Sequence, residues 1–106
     1  MKTRSVTWVR MYLREGQHIL GKLVKDLHEE HRVAGVTVLR GVLGFGDDGR
    51  LHPASLIDLS LDLPLVVEFF EEPEQAERVV SALCELYPLG HVLCVPALAR
   101  ERADAP

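Results

Sequence analysis

The sequence holds little of what usually announces a function. It has two cysteines in 106 residues, which excludes a disulfide-stapled scaffold. Basic residues are the minority: twelve Lys and Arg stand against sixteen Asp and Glu, for a formal charge of −4. That balance excludes the net basic face a nucleic-acid binder needs. Charge or proline breaks every apolar stretch well short of the roughly 18 residues a membrane helix requires, so no insertion into a membrane is expected. No apolar segment follows Met1–Ser5, so no signal peptide is expected either. A cytoplasmic chain follows, with Cys84 and Cys94 reduced and packed as small buried hydrophobes. No Ser/His/Asp or Cys/His set is suggested by local spacing, and the chain reads as a non-enzyme with no catalytic residue.

What is present points to an ordinary globular core. Hydrophobic residues make up 47% of the chain, too many for a disordered one. The length is one domain's worth, expected to span 1–106 with its core at about 6–96 and a charged, frayed tail from Ala97. Charge is uneven. Residues 1–40 hold eight basic and four acidic side chains, and the remainder four basic and twelve acidic. Such a layout suits an anionic ligand or an acidic partner, or simply solvates helix faces.

Periodicity then orders the elements. Val6 to Leu13 is β-branched and aromatic, with Val9, Met11 and Leu13 on one face, and predicts a strand. Gln17 to Arg32 predicts a helix, with Leu20, Leu23, Val24, Leu27 and His31 in one stripe and Gly35 near its C-terminal position. Val36 to Arg40 is a second strand. From Ile57 to Phe69 every second residue is apolar, the signature of a third strand, which Pro64 makes an edge, a bulge or a split. Pro73 opens a second helix with Ala76, Val79, Val80, Leu83 and Tyr87 as its stripe. His91 to Val95 is the fourth strand. The order β-α-β-β-α-β predicts an α+β, ferredoxin-like sandwich: a four-stranded antiparallel sheet with two helices on one face. Trp8 and Tyr12 in strand one, and Leu56, Val66 and Phe70 in strand three, fall on the other face. An apolar open face predicts a homo-oligomer packed sheet to sheet.

Two local patterns bear on ligands. Gly44-Phe45-Gly46-Asp47-Asp48-Gly49 matches G-x-G-x-x-G, but Arg50-Leu51-His52-Pro53 does not start the helix a dinucleotide fingerprint needs, and two aspartates repel phosphate. The segment reads either as a loop whose amides approach an anion or as a turn with positive φ. His28 and His31, three apart on the first helix, together with His52, are the candidates for a metal. Zinc needs three or four ligands, and spacing assembles no such set.

Three segments carry a resemblance to a known family. Val9-Arg10-Met11-Tyr12-Leu13, Ala34 to Gly46, and Leu59 to Glu68 resemble the domain-of-unknown-function 190 family, a branch of the PII-like proteins. The resemblance spans about residues 6–96. It implies a ferredoxin-like trimer that binds adenine nucleotides, and sometimes 2-oxoglutarate, in clefts between subunits. A loop relays the bound state to a channel, transporter or enzyme. Carried onto this chain, Gly35 and Thr37 lie by the adenine. Gly44 and Gly46 sit beside the phosphates, the 44–50 loop with Phe45 and Arg50 lines the cleft, and the loop over 44–55 is the relay. Arg100 and Arg102 reach a neighbour's phosphate. The chain departs from PII proteins at Asp47, where they carry a basic residue, and at Tyr87-Pro88-Leu89-Gly90-His91, which lacks their phosphate-loop lysine. Fewer cations weaken triphosphate binding. The alternative reading is a metal-responsive trimer resembling the copper-tolerance branch of the same fold.

Overall fold

The computed structural model describes residues 1–45 and 62–102. The elements run in the order β1 (Lys2–Arg14), α1 (Leu20–Glu29), β2 (Thr37–Arg40), β3 (Pro64–Glu71), α2 (Pro73–Leu86) and β4 (His91–Glu101). The sheet order is β2-β3-β1-β4, and every neighbouring pair is antiparallel. This is the expected ferredoxin-like arrangement.

One face of the sheet makes the core. Val9, Met11 and Leu13 of β1 and Leu65, Val67 and Phe69 of β3 bury against Leu23 and Leu27 of α1 and Ala76, Val79 and Leu83 of α2. Each large side chain so placed stabilises the fold by about 1.5–3 kcal/mol. That burial orders α1, whose ten residues carry no side-chain N-cap and are marginal as an isolated helix. α2 has Pro73 in its first turn with Glu74 beside it, where a missing N–H costs nothing and a carboxylate meets the positive end of the dipole.

The structure moves several boundaries. The helix expected from Gln17 begins at Leu20, because Glu15–Gln17 form a 3₁₀ turn and His18 then takes a left-handed conformation, φ 56°. The same helix ends at Glu29 rather than Arg32. Arg32, not Gly35, is the left-handed residue behind it, φ 51°, and the Val33 N–H turns back to the Leu27 carbonyl at 3.1 Å. A non-glycine residue there carries a conformational cost. Arg32→Gly is therefore expected to raise stability by about 1 kcal/mol, read as a higher urea midpoint at unchanged slope.

Residues Ala97–Glu101, expected to fray, instead continue β4. They pair with Lys2–Val6 of β1 past the last β1–β3 pair, Thr7↔Glu71. Arg4 Nη2 closes this ribbon on Glu101 Oε1 at 3.0 Å. Pro96 is tolerated because β4 is an edge strand. Cys84 and Cys94, expected to be buried, are both exposed. The third strand starts at Pro64, and the alternation over 57–61 lies outside the described residues, as does Leu56.

Tyr87, at the end of α2, ties the two helices by donating its hydroxyl to Asp26 Oδ2 on α1. Desolvation and then this bond push its phenol from 10 up to about 12. A raised folded pKa means the neutral phenol is the form that favours the fold, so the contribution is complete below pH 10 and lost as pH rises through 12. The wild-type chain is expected to lose stability over that interval faster than Tyr87→Phe, measured by urea titration at stepped pH.

Candidate functional site

On the sheet face away from the helices, cross-strand pairing lines up three rows. Leu39, Val66, Tyr12 and His91 form one; Thr37, Glu68, Arg10 and Leu93 the next; Phe70, Trp8 and Val95 the third. Trp8, Leu39, Phe70, Leu93 and Val95 are all exposed. At the heart of the middle row, Glu68 Oε2 accepts from Arg10 Nε at 2.9 Å and from the Trp8 indole N–H at 3.2 Å. The Arg10 guanidinium lies 5.3 Å from the centre of the Trp8 ring. Arg10 and Trp8 face the same way because they are two apart on a strand. Stacking and the shared carboxylate together hold the indole in place.

Where these rows meet the chain entering β2, the surface sinks into a cavity of about 360 Å³ lined by Trp8, Ala34, Gly35, Val36, Thr37 and Glu68–Phe70. Its rim is tied down by the Ala34 N–H, which donates to Glu71 Oε1 at 2.8 Å. Gly35 is not left-handed, and a Cβ added there would meet nothing within 4 Å. The glycine is thus required neither by backbone conformation nor by packing; what it leaves is space at the cavity wall. A mostly apolar recess with one fixed carboxylate and backbone close at hand suits a small aromatic ring.

Of the residues expected to bind ligand, Gly35 and Thr37 lie together in this cavity. Gly44 and Phe45 do not line it. Gly44 sits against Pro64, where an added Cβ would come within 3.1 Å of the ring, and Phe45 is largely exposed. Gly41 is closer still. Its N–H donates to the Pro64 carbonyl at 2.7 Å, and a Cβ would fall 2.6 Å from Pro64 Cγ. Neither is left-handed, so Gly41 and Gly44 serve close approach to β3 and not a positive-φ turn. Gly46, Arg50 and His52 lie outside the described residues. Arg100 pairs with Thr3 on the β1–β4 ribbon and Arg102 follows it, and neither lines the cavity of its own chain. His28 is exposed, while the His31 carbonyl accepts from Gln75 Nε2 at 3.2 Å. Among the described residues no three His, Cys, Asp or Glu side chains gather as a metal site would need.

Glu68 and Arg10 are the site residues that sequence reasoning missed. Glu68 reads in the sequence as part of a solvated acidic stretch running to Glu77. Only the β1–β3 register puts it opposite Arg10.

Comparison with known proteins places the fold and the family. CPII of Thiomonas intermedia K12, a nitrogen regulatory PII-like protein solved bound to ADP, AMP and bicarbonate, superposes with a TM-score of 0.67 over 95% of this chain and 99% of its own at 13% identity. The fold is therefore that of the PII-like proteins. The chain belongs to the domain-of-unknown-function 190 family, described as "Uncharacterized ACR", whose model matches residues 6–97. Two curated relatives agree. A UPF0166 protein of Methanocaldococcus jannaschii is 29% identical over 82 residues, 74% of this chain and 75% of the relative. A UPF0166 protein of Aquifex aeolicus is 27% identical over 79 residues, 71% and 75% of the two chains.

Proposed function

We propose that the chain is a non-enzymatic, PII-like regulatory protein that binds an adenine nucleotide, or a related small anionic ligand, in the Gly35–Thr37 cavity. The observation that carries this reading is the cavity itself. It opens at the two residues that the family resemblance sets by the adenine, and a PII-like protein of the same fold holds ADP, AMP and bicarbonate. The protein acts as a homotrimer in the cytoplasm. The exposed apolar side chains of the open sheet face make a patch of the kind that marks an interface, and the cavity at its margin becomes a cleft between subunits. There Arg100 and Arg102 of one subunit supply the cations that the cavity of the next lacks. Gly44, Phe45, Gly46 and Arg50 contribute from the loop over 44–55, which relays the bound state to a protein partner such as a channel, transporter or enzyme. Clamped on Pro64 through Gly41 and Gly44, the start of that loop is mechanically joined to β3, whose Glu68 and Phe70 line the cavity.

Titration calorimetry with ATP, ADP, AMP and cyclic AMP tests the reading. AMP and ADP are expected to bind, and ATP less tightly, since Asp47 and Asp48 add negative charge to the loop. Absence of binding by all four at millimolar concentration would refute it.

A further inference from the structure

The carboxylate of Glu68 is shared unevenly. Its Oε2 already receives both the Arg10 Nε–H and the Trp8 indole N–H. No described residue donates to Oε1. Yet Glu68 lines the cavity, and its side chain is 25% exposed. A carboxylate is an acceptor only, with about two lone-pair sites on each oxygen. The cavity is thus lined by one anchored, charged acceptor with an oxygen to spare, in a wall otherwise made by Trp8, Phe70 and the chain from Ala34 to Thr37. Arg10 holds the Glu68 carboxylate in place at 2.9 Å, and the Trp8 ring beside Arg10 offers a flat apolar surface.

We infer that Glu68 is the specificity-determining residue of this cavity, its Oε1 accepting a hydrogen bond from an exocyclic amino group on a bound heteroaromatic ring. The inference rests on the nucleotide reading above and says which feature of the base is read. A 6-aminopurine offers one such N–H where a single oxygen stands ready. A guanine edge offers two parallel donors and needs both carboxylate oxygens, one of which Trp8 and Arg10 occupy. A ring without an amino donor leaves the charged acceptor facing an apolar edge, which costs binding because a buried acceptor loses water without replacing it.

The full chain is titrated with AMP and with purine riboside 5′-monophosphate, which keeps every ring atom and lacks only the amino group. AMP is expected to bind more tightly by about tenfold or more, as for a hydrogen bond to a charged group. In Glu68→Gln the amide oxygen stays with the Trp8 N–H and the amide NH₂ replaces the acceptor. AMP affinity is then expected to fall to that of the deaminated analogue, whose own affinity stays near its wild-type value. Equal binding of the two ligands by the wild type, or a preference that survives in Glu68→Gln, overturns the role of Glu68 and leaves the nucleotide reading intact. Failure of the wild type to bind AMP at all overturns both. A thermal melt checks that Glu68→Gln folds; if it does not, the wild-type pair of titrations decides alone.

Discussion

Gly35→Val is expected to weaken nucleotide binding sharply while leaving the fold nearly untouched. The two halves of this expectation come from one observation. Gly35 lines the cavity, yet it is not left-handed, and a Cβ built on it meets nothing within 4 Å. A β-branched residue is at home next to a strand, and β2 starts two residues later at Thr37. The stability change should stay within about 0.5 kcal/mol, as for a surface substitution that touches nothing. The added isopropyl group, however, occupies the space in which a ring would lie. Affinity for AMP should fall by about 5- to 150-fold, because overlap with a packed ligand costs about 1–3 kcal/mol even when the surroundings give. Calorimetry with a parallel thermal melt separates the two halves. A fall in melting temperature of many degrees would mean that glycine at 35 is structural and not kept for a ligand.

The second large effect is expected from Trp8→Glu. Trp8 lies between Phe70 and Val95 on the open face, gives its indole N–H to Glu68 and stacks with Arg10. Glutamate there removes both contacts and sets a second carboxylate beside Glu68. In the proposed trimer it also buries an unpaired charge, at a cost of several kcal/mol. Light scattering should show monomer or aggregate where the wild type gives a trimer, and AMP binding should be lost with the cleft. A Trp8→Glu protein that keeps the wild-type mass would place the subunit interface elsewhere on the molecule. Trp8→Phe is the control: it retains a ring, loses the N–H and should keep the assembly.

Particular elements show why some of this was legible early and some was not. The stripes at Leu23 and Leu27 and at Ala76, Val79 and Leu83 face the core as their helical spacing requires, because burying an apolar face is a local pattern with a global consequence. The alternation Val9, Met11, Leu13 works in the same way for β1. Pro73 marks the first turn of α2 because its fixed φ suits that position wherever the helix goes. Residues 97–101 were illegible for the opposite reason. Ala97-Leu98-Ala99-Arg100-Glu101 has no strand pattern of its own, and it is a strand only because Lys2–Val6 supplies the partner. Strand propensity is largely a property of the neighbours.

The candidate site divides along the same line. Its glycine and threonine at 35 and 37 were visible through family resemblance, and the structure brings both to one cavity. Its charge was not. Glu68 and Arg10 are 58 residues apart in the chain, and in sequence Glu68 is one more acid among many. Twelve basic residues against sixteen acidic ones, and only two cysteines, were countable from the sequence alone. Order of elements, sheet type and core face were likewise determined by the sequence alone, since each follows from periodicity and turn residues that act over a few positions. The register between β1 and β3, the pairing of Glu68 with Trp8 and Arg10, and the recess beside Gly35 were decided only by the tertiary structure. They depend on which strands lie side by side, and a free energy summed over contacts distant in the chain settles that.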